Sequence, residues 1–308
     1  MRHLRIGTRG SLLAKWQAEY VRKRLFTAAG VEAEIVIIKT SGDKLQHVPL
    51  TQFGGKGVFI KELEDALLEE SIDLAVHSVK DIPTEIPSRV SFPAVCRRDD
   101  VRDCLVSGNG ATLTNLRHGA RVGTSSLRRQ AQLRHMRPDL DVRDLRGNID
   151  TRIRKVESGE YEAVVLAKAG LDRLGWGHRI SEVFSPDICM PAVGQGAIAV
   201  ECRLADTEAS NVLSALDDAE SRTAIIAERA LLSTLQGGCQ LPIGAWARIE
   251  RGELVMDACV CSADGSQHVK QRAVAPPDQA AALGEHLARL LVEAGAQNIL
   301  EEVGRQRG

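Results

Sequence analysis

Aromatic residues are scarce in this chain. Phe, Tyr and Trp together make up 3% of its 308 residues, and no basic excess accompanies them, since the formal net charge is -1. Proteins that bind single-stranded nucleic acid stack bases on aromatic rings, and polyanion binders are basic overall. Both absences argue against nucleic acid as a partner. No uninterrupted apolar run approaches the ~20 residues that a membrane helix needs, and no basic-plus-apolar leader opens the chain. The expectation is therefore a cytosolic protein without a membrane partner. Seven cysteines, an odd number without paired spacing, fit a reducing compartment better than a disulfide framework. The eight histidines are scattered without metal-ligand spacing, so no metal site is expected. The most informative absence is lysine: every Lys or Arg between Lys80 and Lys155 is an arginine. Guanidinium forks match carboxylate or phosphate oxygens two at a time, whereas lysine is a flexible point charge. A merely solvated basic face would mix the two residue types, so the segment reads as an anion site.

What is present fits a globular protein of two or three domains, with 44% hydrophobic and 26% charged residues. Leu4 to Thr8 reads as a strand and Arg9-Gly10-Ser11 as a turn. Leu12 to Phe26 reads as an amphipathic helix with Leu12, Trp16, Tyr20 and Phe26 inward, and Glu34 to Lys39 as a second strand. A βαβ opening implies a parallel sheet, whose ligands belong at strand C-terminal ends. Arg9 and Ser11 lie at such an end, with Ser11 equally a helix N-cap. Gly54-Gly55-Lys56-Gly57 lacks the hydroxyl and the spacing of a phosphate-binding P-loop, and reads as a mobile loop carrying one cation or as a plain surface loop. A helix over Phe59 to Glu70 follows. The strand Leu74 to Ser78 then delivers Lys80 and Asp81 at its tip.

A second α/β alternation begins near Cys96 to Asp103. It predicts strands at Cys104 to Ser107, Arg121 to Thr124, Leu140 to Leu145 and Ala163 to Ala167, with a helix from Leu113 onward. Thr124, Ser125 and Ser126 stand before a helix carrying Arg128 and Arg129, where backbone N–H groups and the helix dipole favour an anion. Arg146-Gly147-Asn148 leads to a helix with Arg152 and Arg154, and Arg173 follows the next strand. Pro191 to Gly196 is a glycine hinge that leads into a strand over Ala197 to Glu201. A long helix from Asp217 to Leu235 ends at Gly237-Gly238-Cys239-Gln240, a turn that presents one thiol before Pro242. Strands at Ile243 to Ile249, Glu253 to Cys261 and Gln267 to Val274, and a helix over Asp278 to Ala294, complete a smaller α+β part. Cys259 and Cys261 read as packing residues on one strand face.

Taken together these segments resemble the porphobilinogen deaminase (hydroxymethylbilane synthase) family along essentially the whole chain. Arg9 with Ser11, the Gly54 to Gly57 run and His77 to Asp81 stand in the family's order. So do Gly123 to Arg129, Leu145 to Asn148 with Arg152, Val193 to Gly196, and Gly237 to Gln240. The resemblance implies an α/β fold of three domains, the first two similar to type II periplasmic binding proteins and the third a small α+β domain. Their bounds would be 1–98 plus 197–215, 99–196 and 219–308. It implies a monomeric enzyme of heme and porphyrin biosynthesis that polymerises four porphobilinogen molecules head to tail, with loss of ammonia, into hydroxymethylbilane. The primer would be a dipyrromethane cofactor joined by thioether to Cys239. By the same resemblance Lys80, Asp81, Thr124, Ser125, Ser126, Arg128, Arg129, Arg146 and Gly147 bind the cofactor. Arg9, Ser11, Lys56, Arg152, Arg173 and Gln195 bind substrate. Asp81, as a buried carboxylate assisted by Lys80, would stabilise the cation left when ammonia departs. Gln52 stands where several bacterial members have a lysine. Two readings of other classes compete: a non-catalytic two-lobed sensor, which leaves Cys239 unexplained, and a cysteine acyl transferase, which wants a histidine near the thiol.

Overall fold

A computed structural model describes residues 3–40, 60–236 and 241–305. They form two compact units, Met1–Asp99 with Ala197–Arg222, and Asp100–Gly196 with Thr223–Gly308.

The first unit opens with β1 (Leu4–Thr8), α1 (Leu12–Ala29) and β2 (Ala33–Ile37), with β1 and β2 parallel and in register from Leu4 opposite Ala33. It continues through α2 (Lys61–Leu68), β3 (Leu74–Ser78) and β4 (Val90–Val95). The returning chain adds β10 (Ile198–Arg203), and the sheet order is β2-β1-β3-β10-β4. β10 runs antiparallel to both of its neighbours. One face of the sheet packs Ile6, Leu74, Val76 and Val200 against Val21 and Leu25 of α1. The expected inward stripe of α1 is corrected: Leu12 is 52% exposed and Phe26 60% exposed. The buried face is Gln17, Ala18, Val21 and Leu25. Trp16 and Tyr20 stack on one another at its margin, ring centroids 5.5 Å apart. The stripe slips because small Ala18 lets the helix approach the sheet closely, and the bulkier aromatics fit only at the edge.

The second unit repeats the plan. It holds β5 (Asp103–Ser107), β6 (Arg121–Gly123), α3 (Leu127–Met136), β7 (Asp141–Arg143) and α4 (Ile149–Glu157). Then come β8 (Ala163–Ala167), α5 (Lys168–Arg173) and β9 (Glu182–Val183). The order β7-β6-β8-β5-β9 matches the first sheet position for position, again with the fourth strand antiparallel to its neighbours. In each sheet that strand lies where the chain has just entered the unit, β5 after β4 and β10 after β9. The helix expected from Leu113 is absent; residues 111–120 are turns. Leu113 and Leu116 still reach the core, while the Arg137 guanidinium donates to the carbonyls of Leu113 at 2.6 Å and Leu116 at 3.1 Å. A side chain thus satisfies the acceptors that helical N–H groups would otherwise have taken.

The remaining elements are α6 (Thr207–Ser214), α7 (Ala219–Thr234), the antiparallel sheet β11 (Ile243–Glu250), β12 (Glu253–Cys261) and β13 (His268–Ala275), α8 (Ala280–Glu293) and α9 (Ala296–Arg305). Leu254, Met256, Ala258 and Val260 alternate along β12 and enter one apolar core with Leu287 and Leu291 of α8 and Ile299 of α9. Helices α6 and α9 were not anticipated. The first is capped by Asp206, whose carboxylate accepts from Ala209 N at 3.1 Å.

Candidate active site

In the first unit β3 ends at Ser78, and Val79–Asp81 forms a single 3-10 turn. Buried Val79 anchors that turn, its N–H donating to Ala197 O at 3.0 Å. Lys80 is consequently half-buried, and Asp81 is exposed rather than buried as expected. It stands three residues past Ser78, the last paired residue of β3, at the end of the 3-10 turn. The buried acid of this strand end is instead Glu201 on β10, which meets His77 Nε2 at 2.8 Å. Half-buried Glu64 on α2 lies in the same field; burial and then the Glu201 charge push its carboxyl above the ordinary range, partly offset by His77. Ser11 takes the capping role, its Oγ accepting from Ala14 N at 3.2 Å. Arg9 is half-buried beside it.

In the second unit Thr124 follows β6 and is fully buried, its hydroxyl accepting from Ser126 N at 3.2 Å. Ser126 stands at the N-cap of α3 and makes no side-chain capping bond. The Ser125 hydroxyl oxygen is buried and has no hydrogen-bond partner among the described residues. Such a group costs about 1 to 3 kcal/mol unless something binds it. The α3 N-terminus therefore offers an unspent hydroxyl, uncapped N–H groups and the positive end of the dipole.

Arg128 and Arg129 do not both point outward from this helix. Each is nearly fully buried and paired with Asp103, which is 0% exposed. Asp103 Oδ2 accepts from Arg128 Nη1 at 2.7 Å, and Oδ1 accepts from Arg129 Nη2 at 2.7 Å and Nε at 3.1 Å. Gln195 is also turned inward, its Nε2 donating to Asp103 Oδ1 at 2.8 Å and to Val101 O at 2.7 Å. Burial alone would raise the Asp103 carboxyl, but the Arg128 and Arg129 charges together pull it far below the carboxylate range. A buried carboxylate has to recruit partners of this kind, which corrects the expectation that all three side chains face a ligand. Arg129 has an acceptor for each of its three nitrogens, the third being Val165 O at 3.0 Å. Arg128 keeps a buried Nε without a partner among the described residues.

Two further segments border the site. Gly147 has φ +111°, and a Cβ there would meet Thr151 Cγ2 at 2.9 Å, so only glycine fits between Arg146 and α4. Arg152 Nε donates back to Gly147 O at 2.8 Å, and half-buried Arg146 precedes the turn. Arg173 Nη2 donates to Gly196 O at 2.7 Å. Glu228 of α7, fully buried, accepts from Gly194 N at 2.7 Å and Ala247 N at 2.8 Å, fixing the glycine stretch that carries Gln195. Lys56 and Cys239 lie outside the described residues, as do Gly237 and Gly238.

Sequence reasoning missed Asp103, Glu201 and Glu228, because their partners are supplied by distant strands and no local spacing marks them. It also missed a third neighbour of Cys259 and Cys261. The hairpin brings His268 beside them, so that one ligand atom from each lies within 4.8 Å of the others. The Cys261 thiol, and after burial's opposing effect His268, draw the Cys259 thiol toward its thiolate.

An anion fits the α3 N-terminus, where the Ser125 hydroxyl has no partner among the described residues and Ser126 makes no side-chain capping bond. The features define an α/β protein with an open helix N-terminus at one strand end. The family model described as "Porphobilinogen deaminase, dipyromethane cofactor binding domain" matches residues 4–211, and "Porphobilinogen deaminase, C-terminal domain" matches 222–293. A curated relative named porphobilinogen deaminase from Syntrophotalea carbinolica is 48% identical over 96% of this chain and 95% of its own. Another of that name from Syntrophobacter fumaroxidans is 44% identical over 99% of both. The chain belongs to the porphobilinogen deaminase family. Among solved structures, the second substrate binding domain of a putative amino acid ABC transporter from Streptococcus pneumoniae superposes with a TM-score of 0.43 at 13% identity. That overlap covers 69% of this chain and 90% of that one, a likeness too slight to bear on function.

Proposed function

We propose that the protein joins four porphobilinogen molecules head to tail into hydroxymethylbilane, releasing ammonia at each addition, from a dipyrromethane held by thioether at Cys239. We also read the chain as three domains, 1–98 plus 197–215, 99–196 and 219–308. Among the described residues no helix is long and apolar enough to cross a membrane. The observation that carries the reading is the buried Ser125 hydroxyl, unpartnered among the described residues, at an uncapped helix N-terminus, within a segment where every Lys or Arg is an arginine. Acetate and propionate side chains of pyrroles are the anions such a segment suits.

When bound, the cofactor supplies the free ring position at which chain growth starts. Thr124, Ser125 and Ser126 donate to its carboxylates, with Arg128 Nε, Arg146 and the Gly147 N–H beside them. Arg9, Ser11, Lys56, Arg152 and Arg173 take the carboxylates of incoming substrate. Asp103 and Gln195 act through Arg128 and Arg129, holding the guanidiniums in place. Asp81 has the reacting carboxylate, stabilising positive charge on the substrate ring as its aminomethyl nitrogen leaves as ammonia and accepting a proton from the ring, with Lys80 beside it in the same turn. Its exposure here means that substrate itself, once bound, excludes water from it.

Incubation with porphobilinogen tests the reading. Ammonia and bilane should appear in a ratio of four to one, with no uptake of free cysteine reagents by Cys239. Bound porphobilinogen without any ammonia release would favour the sensor reading and overturn the enzymatic one.

A further inference from the structure

Strand β12 has two buried faces. While Leu254, Met256, Ala258 and Val260 fill one core, Cys259 and Cys261 project to the other side against Ala131 and Met190. Both thiols are free and 0% exposed. On the neighbouring strand β13, His268 stands directly opposite Cys261. Directly opposed residues of an antiparallel pair share a face, and residues two apart on one strand do too. Two sulfurs and an imidazole nitrogen therefore converge without any loop having to fold over them, and all three ligand atoms lie within 4.8 Å of one another.

Packing accounts for the cysteines but not for the histidine. His268 Nε2 is buried and makes no hydrogen bond among the described residues. The ring is nonetheless held firmly. It meets the His135 ring edge-on at 4.9 Å between centroids, and His135 Nδ1 is bonded to Gly265 O at 2.8 Å. Gly265 presses so closely on α3 that a Cβ there would meet His135 N at 2.5 Å. Inside the turn, Ser262 Oγ accepts from Gln267 N at 2.9 Å and Asp264 Oδ1 accepts from Ser266 N at 3.0 Å. An imidazole held within 4.8 Å of two thiols, with its Nε2 unspent among the described residues, is an arrangement with a use.

We propose that Cys259, Cys261 and His268 form a binding site for a thiophilic divalent metal ion, with zinc the species that fits best. Two sulfurs and one nitrogen are a donor set that Zn2+ accepts and that Mg2+ and Ca2+ do not. Zn–S bonds near 2.3 Å and Zn–N bonds near 2.1 Å give a tetrahedron with edges of roughly 3.6 to 3.8 Å. The three donors need draw in by only about 1 Å, within the reach of side-chain rotation. Each thiol releases its proton to solvent as the ion binds, so the site changes from two neutral thiols to a neutral zinc dithiolate with one neutral imidazole. The fourth position falls to water on the side of exposed His135. Bound there, the ion ties β12 to β13 next to the helix whose other end carries Ser126.

The test is a Co2+ titration of the purified, cofactor-loaded protein, kept reduced and freed of metal by chelation. One equivalent of Co2+ should produce a thiolate-to-cobalt charge-transfer band, and Zn2+ should bleach it. Cys261→Ser should weaken binding by about tenfold or more and remove most of the band, and His268→Gln should weaken it to a similar degree while leaving both thiols to pack. Cys96→Ser and Cys202→Ser should leave the band unchanged, which separates this site from the other thiols. The His268→Gln arm keeps the proposal open to failure even if Cys261→Ser does not fold. Absence of the band in the parent protein, or a band of parent intensity and affinity in either His268→Gln or folded Cys261→Ser, would show that the three side chains only pack.

Discussion

Asp103 Oδ1 accepts from both Nε and Nη2 of Arg129, at 3.1 and 2.7 Å, in a region from which water is excluded. Its other oxygen holds Arg128, so one carboxylate serves two adjacent guanidiniums. Removing one member of such a group leaves buried charge without compensation, at a cost of about 3 to 5 kcal/mol. Asp103→Asn should therefore lower unfolding stability by that order, measured by denaturant titration. Its folded pKa lies below the unfolded value of 3.8, so the stabilising contribution is complete above that value and is lost only as pH falls through the folded one. The difference between parent and Asp103→Asn should thus be constant from neutral pH down to about pH 5 and shrink only in stronger acid. Arg129→Leu should destabilise similarly, and combining it with Asp103→Asn should cost less than the sum. An additive double variant would contradict the pairing.

The extent of three strands could be read from sequence alone: Leu74–Ser78, Ala163–Ala167 and Glu253–Cys261. Each is an apolar or β-branched run bounded by polar or turn residues, and local pattern decides such segments. The strap around Leu113 could not be read, since its carbonyls are satisfied by Arg137, more than twenty residues on. The Asp103 cluster was equally hidden, because its partners lie 25, 26 and 92 residues away. Arginine composition announced an anion; it did not say that the protein itself supplies one of the carboxylates. His268 was hidden by strand register, which places it opposite Cys261 only once the hairpin closes.

Glu64 bears a penalty in the opposite direction. Burial and the Glu201 charge raise its folded pKa above the ordinary carboxyl value of 4.5, so folding favours its protonated form and stability declines as pH rises through that window. Glu64→Gln should stabilise the protein at neutral pH by no more than about 1 kcal/mol, given solvent screening of a half-exposed group. The gain should vanish below pH 4.5. Melting temperatures of the two proteins across that range decide it; an equal shift at every pH would contradict the assignment.

Asp81 sits exposed at the tip of β3, in the turn that Val79 anchors. Its substitutions should therefore spare folding and act on rate. Asp81→Asn removes the charge and should nearly abolish ammonia release, while Asp81→Glu keeps the charge displaced by about 1 Å and should lose on the order of a hundredfold. Single-turnover ammonia release from cofactor-loaded variants is the measurement. An Asn variant as fast as the parent would make Asp81 a bystander.

The central claim is that the site is primed by a dipyrromethane on one particular thiol. Intact mass of the purified protein, followed by peptide mapping, tests it directly. The account predicts an adduct of two pyrrole rings on the peptide containing Cys239, absent from Cys239→Ala, which should be inactive. An unmodified Cys239, or an adduct on any of the other six cysteines, would contradict it.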